Sequence, residues 1–437
     1  MNASAIDMPQ TPWASTLNQA QRDAAMFGVV SASDADSPPL LIIAGAGTGK
    51  TNTLAHRVAY LTLNGVSSDR ILLLTFTRRA AQEMTRRAER IVHQVAMQTG
   101  AKARPFKLSW AGTFHGIANR LLRHHASQLG MDPSFTILDR GDAADLIDVV
   151  RQELGFAKKD KRFPRKDTCL AIYSHTVNTQ WPLARTLADS FPWCSEWVDD
   201  LTVLFRKYTE AKQQQQVLDY DDLLLYWHTA MQQQSFATAI SNRFDHVLVD
   251  EYQDTNTLQA DILLAMKPQG RGLCVVGDDA QAIYSFRAAN VENILSFPDR
   301  FTPPAHIAKL EQNYRSTQPI LEAANAVIGE GTRQYQKQLY SDKLSSQRPW
   351  YVSVADDQSQ AEYIVDRVLA ARESGVLLKQ QAVLMRASHH SDVLEFELTR
   401  RNIPYVKYGG LKFLEAAHVK DVLALLKWAD NPKNRIA

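Results

Sequence analysis

The sequence lacks the features that mark secreted and membrane-spanning proteins. Its 437 residues include three cysteines, Cys169, Cys194 and Cys274, whose spacing forms neither a disulfide framework nor a zinc motif. The N-terminus has no basic segment followed by an apolar one, so no secretion signal is indicated. Apolar runs such as LLIIAG are much shorter than the roughly 20 residues of a membrane helix. We expect a soluble, cytoplasmic protein that does not bind membranes.

An excess of charge of either sign is also lacking. The 49 Lys and Arg residues nearly balance the 47 Asp and Glu residues, and the formal net charge is +2. A surface that binds nucleic acid would therefore be a local groove and not the whole molecule. The hydrophobic fraction of 45% is that of an ordinary folded protein. The length predicts roughly three domains.

Short apolar runs that end in glycine or polar residues predict buried parallel strands. Helix-like stretches follow them, for example residues 78–95, where apolar residues recur three and four positions apart. This alternation is typical of a doubly wound α/β domain, which binds ligands at the carboxyl ends of its strands. The predicted strands are 40–43, 71–74, 247–249 and 273–276.

The character of the chain changes twice. Residues 120–215 are helix-like, rich in Lys, Arg and Trp, and show no clear strand, so we interpret them as a helical insertion. Strand-like runs resume after residue 301 and predict part of a second α/β domain. These runs are 305–310, 350–354, 382–386 and 403–407, followed by an amphipathic helix at 418–429. The predicted domains are 1–119 with 216–300, the insertion 120–215, and 301–437.

The stretch LIIAGAGTGKT has the order of a strand, a glycine-rich loop and a helix start. Its three glycines allow backbone amides to curl around a triphosphate at the positive end of the helix. Lys50 would hold the β- and γ-phosphates, and the Thr51 hydroxyl would ligate Mg²⁺. The strict pattern has glycine where this chain has Ala44. The candidate ATP-binding loop comprises Ala44, Gly45, Ala46, Gly47, Thr48, Gly49, Lys50 and Thr51.

A second candidate segment is HVLVDEYQDTN, residues 246–256, in which a buried strand ends in two carboxylates. Asp250 suits Mg²⁺ held through water, and Glu251 suits orienting and deprotonating an attacking water. The alternative is a strand that is merely capped by acidic turn residues. The upstream phosphate loop favours the nucleotide site.

A third segment, VVGDDAQAIYSFRAA, carries a candidate nucleotide sensor at residues 275–289. Gln281 follows a strand and can report whether a γ-phosphate is present, and Arg287 could complete that contact. Tyr284 and Phe286 offer aromatic faces nearby. The alternative for these two aromatic residues is an ordinary core pair.

A fourth segment, LEQNYRST, follows the run at 305–310. Arg315 is a candidate arginine finger that would stabilise charge on the transferring phosphoryl group from across a cleft. Tyr314 could stack on the base. Without this context, an arginine such as Arg315 is more often part of a surface ion pair.

Together these segments resemble the UvrD/Rep/PcrA-type superfamily 1 DNA helicases, in the family's order and over nearly the whole chain. The resemblance implies two RecA-like domains that clamp ATP with Mg²⁺ and move 3′ to 5′ along single-stranded DNA. It implies duplex junctions as substrates, repair or replication proteins as partners, and Gln21 as the reader of the adenine. The segments with counterparts are 17–21, 44–51, 74–84, 112–116, 219–224, 249–256, 277–289, 312–317 and 403–415.

The resemblance also implies roles for individual residues. Stepping along DNA needs groups that hold phosphates and stack bases without reading sequence. The family's DNA contacts fall on Phe76, Thr77, Thr113, Phe114, His115, Tyr284 and Phe286. His115 has the alternative of a structural loop histidine. The implied catalytic residues are Lys50, Glu251, Gln281, Arg287 and Arg315.

The chain departs from the family pattern at four positions. Asn52 replaces a common arginine, and Ala280 replaces an aspartate. Phe286 stands in place of a tryptophan, so we expect base stacking to survive over a smaller area. Ala288 replaces a glycine.

The family's later motifs have no counterpart in residues 416–437, and several hypotheses stay open. The first is an ATP-dependent DNA helicase or translocase whose chain alone binds ATP weakly and unwinds little. The second is a catalytically incomplete ATP- and DNA-binding fragment or a partner-binding module. A helicase–nuclease subunit would need a metal-binding carboxylate cluster, which we do not find in the sequence. A small-molecule kinase fits poorly because the second α/β region exceeds its needs.

Overall fold

The computed structural model describes residues 14, 16–29, 37–99, 106–156, 162–408 and 417–431. Backbone contacts divide the chain into two units. The large unit comprises residues 1–347 with 427–437, and the small unit comprises residues 348–426. No helix within the described ranges is long and apolar enough to cross a bilayer.

A six-stranded parallel sheet lies at the centre of the large unit, and a separate two-stranded parallel sheet lies in the helical insertion. The strands in chain order are β1 (Leu40–Ala44), β2 (Ile71–Thr75), β3 (Trp110–Thr113), β4 (Thr136–Ile137), β5 (Val217–Leu218), β6 (His246–Val249), β7 (Leu273–Gly277) and β8 (His306–Leu310). The large sheet has the spatial order β3-β2-β6-β7-β1-β8, and β4 pairs with β5. The four strands predicted from the sequence for the first domain are thereby confirmed, and β3 joins them.

Helices fill most of the remaining described chain, and several begin at a capping box, in which two side chains satisfy free backbone amides reciprocally. Asn18, Asp139, Asp219 and Asn256 act in this way. The helices are α1 (Gln19–Met26), α2 (Lys50–Leu63), α3 (Arg78–Thr99), α4 (Phe114–His124), α5 (Arg140–Glu153), α6 (Lys166–Thr179), α7 (Leu183–Ser190), α8 (Val198–Gln215), α9 (Tyr220–Ala230), α10 (Gln234–Arg243), α11 (Thr257–Met266), α12 (Glu292–Leu295), α13 (Gln318–Gly329), α14 (Asp357–Glu373), α15 (Asp392–Arg400) and α16 (Ala417–Asp430).

The large sheet is covered by helices on both faces. Successive side chains of a strand point to opposite faces, and β1 shows this alternation. Leu41 and Ile43 pack with residues of α4, α9 and α11, whereas Leu40 and Ile42 pack with residues of α1, α2 and α3. Each fully buried side chain of this kind contributes roughly 1.5–3 kcal/mol to folding. The predicted α/β class with a central parallel sheet is confirmed.

The helical insertion has a core of its own, built from α5, α6, α7 and α8 and extending from Leu138 to Val217. The sequence analysis began the insertion at residue 120. The structure differs there, because the apolar face of α4 packs on the large sheet through Leu121 and Leu122. The other described residues of 120–215 lie largely in α5, α6, α7 and α8, apart from the short strand β4.

The run at 305–310 lies elsewhere than the sequence analysis placed it. Strand β8 pairs in parallel with β1, from Leu40 opposite His306 to Ala44 opposite Leu310. It is therefore the edge strand of the first sheet and does not begin a second one. The hydrophobic pattern of a segment predicts that it is a strand, but the pattern does not say which strand it pairs with.

The small unit contains α14 and α15, which share a core of Ala361, Val365, Leu394, Leu398 and Ile403. The predicted strands at 350–354, 382–386 and 403–407 form no strand ladders among the described residues. Several of their side chains are exposed, such as Tyr351 at 95% and Leu384 at 93%. A strand requires a neighbour for its backbone groups, which the apolar pattern alone does not supply. The predicted helix at 418–429 is confirmed as α16, whereas residues 409–415 lie outside the described ranges.

Candidate nucleotide site and DNA-facing edge

The four candidate segments for the nucleotide site each follow a strand of the large sheet. Because its six strands are parallel, their carboxyl ends lie at one edge, where α/β sheets bind ligands. The segments at this edge are 45–49 after β1, 76–77 after β2, the first residues of α4 (114–115) after β3, 250–251 after β6, 278–281 after β7 and 311–315 after β8. The structure thus brings the predicted phosphate loop, the carboxylates and Arg315 to a common edge.

The phosphate loop has the backbone that its glycines permit. Gly47 and Gly49 have φ of 76° and 86°, in the left-handed region that favours glycine. A Cβ atom on Gly47 would lie 2.7 Å from the side-chain nitrogen of Asn313 and 2.7 Å from the Arg315 Cβ atom. Gly49 is the N-cap of α2, and Lys50 and Thr51 are the first two residues of that helix. The loop therefore presents the start of a helix to a ligand, with the segment around Arg315 alongside it.

Lys50 is paired with one of the two predicted carboxylates. Its Nζ atom donates to Glu251 Oε2 at 2.8 Å, and its side chain is 9% exposed. Glu251 has φ of 51°, a left-handed conformation that is uncommon for a residue with a side chain and clusters at functional sites. The pairing joins the loop after β1 to the loop after β6.

Asp250 is a buried carboxylate, 5% exposed. Within the described residues its Oδ1 atom has no hydrogen-bond partner. Burial, and next the charge of Glu251, raise the pKa of Asp250 to about 7. A buried carboxylate oxygen that has no hydrogen-bond partner is suited to binding a cation, which would offset the cost of burying its charge. No group of three or more His, Cys, Asp or Glu side chains in the described part of the chain is arranged for a metal. Mg²⁺ takes one or two protein ligands and completes its shell with phosphates and water, so a single buried carboxylate can hold it.

Gln21 and Tyr314 both lie next to the phosphate loop. The Gln21 side chain donates to the Thr48 carbonyl at 2.8 Å. The side-chain nitrogen of Asn18 donates to the Tyr314 hydroxyl at 2.9 Å and to Gln312 Oε1 at 3.0 Å. Tyr314 is 45% exposed, so its ring is accessible to a planar ligand. Asn18 lies within the segment 17–21, but the sequence pattern predicted no role for it.

Asn313 holds the Arg315 segment against the phosphate loop. Its side-chain nitrogen donates to the Ala46 carbonyl, and its side-chain oxygen accepts from the Arg315 and Ser316 amides at 2.8 Å and 2.7 Å. The backbone amide of Tyr314 donates to the Gly47 carbonyl at 2.9 Å. Asn313 is 3% exposed. The sequence did not predict this role of Asn313. The available signal was a polar residue two positions before Arg315.

The sensor candidate Gln281 is connected to Glu251 through hydrogen bonds. Its side-chain nitrogen donates to Asp278 Oδ2 at 2.6 Å. The backbone amide of Asp278 donates to Gln253 Oε1 at 3.0 Å, and Gln253 Nε2 donates to Glu251 Oε2 at 3.0 Å. The approach of Gln253 also explains Gly277, whose added Cβ would lie 2.6 Å from Gln253 Oε1. The sequence analysis did not single out Gln253.

Three of the predicted DNA contacts form an aromatic row. The ring centroids of Phe76 and Tyr284 lie 4.9 Å apart, and those of Tyr284 and Phe286 lie 5.8 Å apart. Phe286 is 71% exposed and Phe76 is 38% exposed. Arg287 lies over this row, 5.5 Å from the Tyr284 centroid and 5.6 Å from that of Phe286. Arg287 thus contacts the row. Ala288, the next residue, has φ of 62°, in the left-handed region. The glycine that the family has at this position would adopt this conformation without strain.

The predicted contacts at the ends of β2 and β3 have mixed surroundings. Thr77 Oγ1 accepts from the Ala80 amide, and Thr113 Oγ1 accepts from the Gly116 amide, so both hydroxyls cap helices. Phe114 is 5% exposed and belongs to the sheet core, which leaves its ring unavailable to a ligand. Burial lowers the pKa of His115 to about 4, so this side chain is neutral at pH 7 and pairs edge-on with Tyr220.

Comparison with known proteins identifies the family of this chain. A model of the UvrD/REP helicase N-terminal domain matches residues 28–302, and one of the UvrD-like helicase C-terminal domain matches residues 308–437. The chain is 35% identical over 403 residues to the ATP-dependent DNA helicase PcrA of Staphylococcus epidermidis, covering 91% of this chain and 53% of that protein. It is 32% identical over 403 residues to PcrA of Staphylococcus aureus, with the same coverage, and so spans about half the length of these relatives. The predicted family is confirmed: this chain belongs to the UvrD/REP helicase family.

Proposed function

We propose that this chain is the ATP-binding motor part of an ATP-dependent DNA helicase or translocase. The observation that carries the proposal is the shared edge at which Lys50 pairs with Glu251 and the Arg315 segment contacts the phosphate loop. Both relatives named above are described as ATP-dependent DNA helicases. The division into two RecA-like parts with a helical insertion, whose core extends from Leu138 to Val217, remains part of this proposal.

ATP binding would change the partner of Lys50. The β- and γ-phosphates carry more negative charge than Glu251, so the ammonium would move to them. Glu251 would then be free to orient and deprotonate the attacking water. Thr51 and Asp250 would hold Mg²⁺, which supplies charge neutralisation at the phosphates. Gln21 and Tyr314 would contact the base.

Cleavage would be communicated to DNA through the loop after β7. Gln281 would sense the γ-phosphate, and Arg315 would stabilise charge on the transferring group. Tyr284 and Phe286 of the aromatic row lie on the same 278–289 segment as Gln281, so movement of Gln281 would displace them. Their rings would stack on bases of single-stranded DNA, and Arg287 would contribute positive charge beside them. The hydroxyls of Thr77 and Thr113 and the neutral His115 would line the same path, with Phe114 supporting it from the core.

The substrate and setting are proposed from the family resemblance. We infer 3′ to 5′ movement on single-stranded DNA toward duplex junctions, in the cytoplasm, with repair or replication proteins as partners. The alternative function is an ATP- and DNA-binding module that does not hydrolyse ATP. The two functions differ in one measurable property, which is turnover.

The experiment measures ATP turnover of the 437-residue chain with and without oligo-dT. We expect DNA to stimulate turnover, and Glu251→Gln to reduce it at least about 100-fold while a fluorescent ATP analogue still binds. Lys50→Ala should lose both binding and turnover. Lys207→Ala, at an exposed lysine of the helical insertion that pairs with Glu210, is the control and should behave as wild type. Binding without turnover in the wild type would favour the non-hydrolysing module.

A further inference from the structure

A buried lysine outside the sequence motifs lies next to the sensor loop. Lys337 follows α13, and its side chain is 4% exposed. Its ammonium lies 2.8 Å from an Asp278 oxygen and 2.5 Å from an Asp279 oxygen, and these aspartate side chains are 3% and 2% exposed. Burial lowers the pKa of Lys337, but hydrogen bonds and charge from the two aspartates outweigh it, so the pKa is raised overall. Charges this deeply buried persist only with close, well-placed partners.

One partner of Lys337 orients the sensor. Asp278 shares its carboxylate between the Lys337 ammonium and the Gln281 side-chain amide, the latter at 2.6 Å. The position of Gln281 therefore depends on where Lys337 holds Asp278. Because the backbone amide of Asp278 donates to Gln253, Asp278 is itself part of the hydrogen-bond path to Glu251.

The other partner fixes the segment that carries Lys337. Asp279 accepts from the Tyr335 backbone amide at 2.9 Å as well as from Lys337. The Tyr335 hydroxyl donates to the carbonyls of Ile294 and Leu295 at 3.1 Å. Residues 335–337 are thus attached to the sensor loop on one side and to α12 on the other.

The chain just beyond Lys337 is bonded to the segment that carries Arg315. Gln312 and Tyr340 form a parallel bridge. The Asn313 amide donates to the Tyr340 carbonyl at 2.7 Å, and the Tyr340 amide donates to the Glu311 carbonyl at 3.2 Å. Asn313 in turn binds the Arg315 amide and the phosphate loop. A continuous path therefore runs from Gln281 through Asp278, Lys337 and residues 337–340 to Arg315.

We propose that Lys337 is a positioning residue that couples the Gln281 loop to the Arg315 segment. When the nucleotide displaces one of them, the Lys337 ion pairs transmit the displacement to the other. The sensor and the arginine finger then reach the phosphoryl group together. This inference rests on the proposed function of the ATP site, because it assigns the coupling to ATP hydrolysis.

Hydrogen exchange of the nucleotide-free protein tests the coupling without turnover. Lys337→Met keeps the length of the side chain and removes its charge, and amide exchange should rise at least about tenfold in both 278–282 and 311–316. Lys337→Arg keeps the charge and should return both segments toward wild-type exchange. A rise confined to 278–282 would overturn the proposal.

The chain offers a matched control in Lys212, which is 2% exposed and lies 2.6 Å from Asp219 and 2.7 Å from Asp222 in the helical insertion. Lys212→Met loses a similar buried pair and should leave exchange at 278–282 and 311–316 unchanged. An equal rise in this variant would mean that general loss of stability is responsible, which rejects the coupling. If Lys337→Met does not fold, Asp279→Asn serves instead, with about a threefold rise expected in both segments and a rise in only one segment rejecting the coupling.

Turnover then separates the two proposals. In a wild type that hydrolyses ATP, Lys337→Met should lower kcat at least tenfold and change KM by less than about threefold, with partial rescue by Lys337→Arg. A variant whose KM changes while kcat does not would contradict the positioning role. A wild type without turnover would reject the proposed function, while the exchange measurement still decides whether Lys337 couples the two segments.

Discussion

The ammonium of Lys50 lies 2.8 Å from the carboxylate of Glu251, across the loops that follow β1 and β6. Lys50 is the residue that would hold the phosphates, and Glu251 is the residue that would activate water. One ammonium cannot fully serve both partners, so nucleotide binding has to break or share this ion pair. In the proposed function, the pair would therefore keep Glu251 occupied until a triphosphate binds.

This relationship predicts the effect of Glu251→Gln on affinity as well as on turnover. Without the carboxylate, Lys50 no longer exchanges an ionic partner for the phosphates, so the ATP analogue should bind about fivefold more tightly, about 1 kcal/mol. Fluorescence titration of the folded variant measures the dissociation constant. Glu210→Gln, which removes an exposed carboxylate of the helical insertion from its lysine partner Lys207, is the control. Unchanged or weaker binding in Glu251→Gln would show that the ion pair does not oppose ATP.

Asp250 predicts a pH-dependent stability. In the unfolded chain its pKa is the ordinary 3.8, whereas in the folded chain burial raises it to about 7. The folded state therefore binds this proton more tightly, and the contribution of Asp250 to the free energy of unfolding falls as pH rises from about 4 to about 7. Asp250→Asn cannot ionise and should raise the thermal midpoint more at pH 8 than at pH 5.

The control for this measurement is Asp366→Asn, at a side chain that is 66% exposed. It should shift the midpoint little at either pH. Asp250→Asn should at the same time lose Mg²⁺-dependent turnover, so stability and activity change in opposite directions. Equal midpoint shifts at both pH values would show that Asp250 is ionised throughout this range.

The contacts of Asn313 predict that its substitution lowers both catalytic turnover and the free energy of unfolding. Asn313→Ala leaves the Ala46 carbonyl and the amides of Arg315 and Ser316 without their side-chain partner, which costs about 1–3 kcal/mol of unfolding free energy. With Arg315 less well held, kcat should fall about tenfold and analogue affinity should change less. Asn64→Ala, which removes one hydrogen bond at the far end of α2, should leave kcat unaltered. An unaltered kcat in Asn313→Ala would exclude Asn313 from positioning Arg315.

The aromatic row predicts the affinity for single-stranded DNA. Phe286→Ala should weaken binding of a labelled oligo-dT about 5- to 150-fold, because stacking on one base contributes about 1–3 kcal/mol. Phe286→Trp should tighten binding a few-fold, since its ring covers more of a base. Phe396→Ala removes a phenylalanine of similar exposure, 65%, from the small unit and is the control in the anisotropy titration. Equal affinities in all four proteins would rule out stacking at this position.

The sequence alone determined the family, the phosphate loop and the buried strands that end in functional residues. These features are local. Gly47 and Gly49 permit the loop conformation, and an apolar run followed by Asp250 and Glu251 indicates where a strand ends. Only the tertiary structure decided that β8 pairs with β1, that Phe114 is buried in the core, and that Arg287 lies over the aromatic row. It alone also assigned Asn313, Gln253 and Lys337 to the site. The physical reason is that strand partners, burial and buried ion pairs depend on which distant segments meet, as Lys337 and Asp278 do, and no pattern within one segment contains that information.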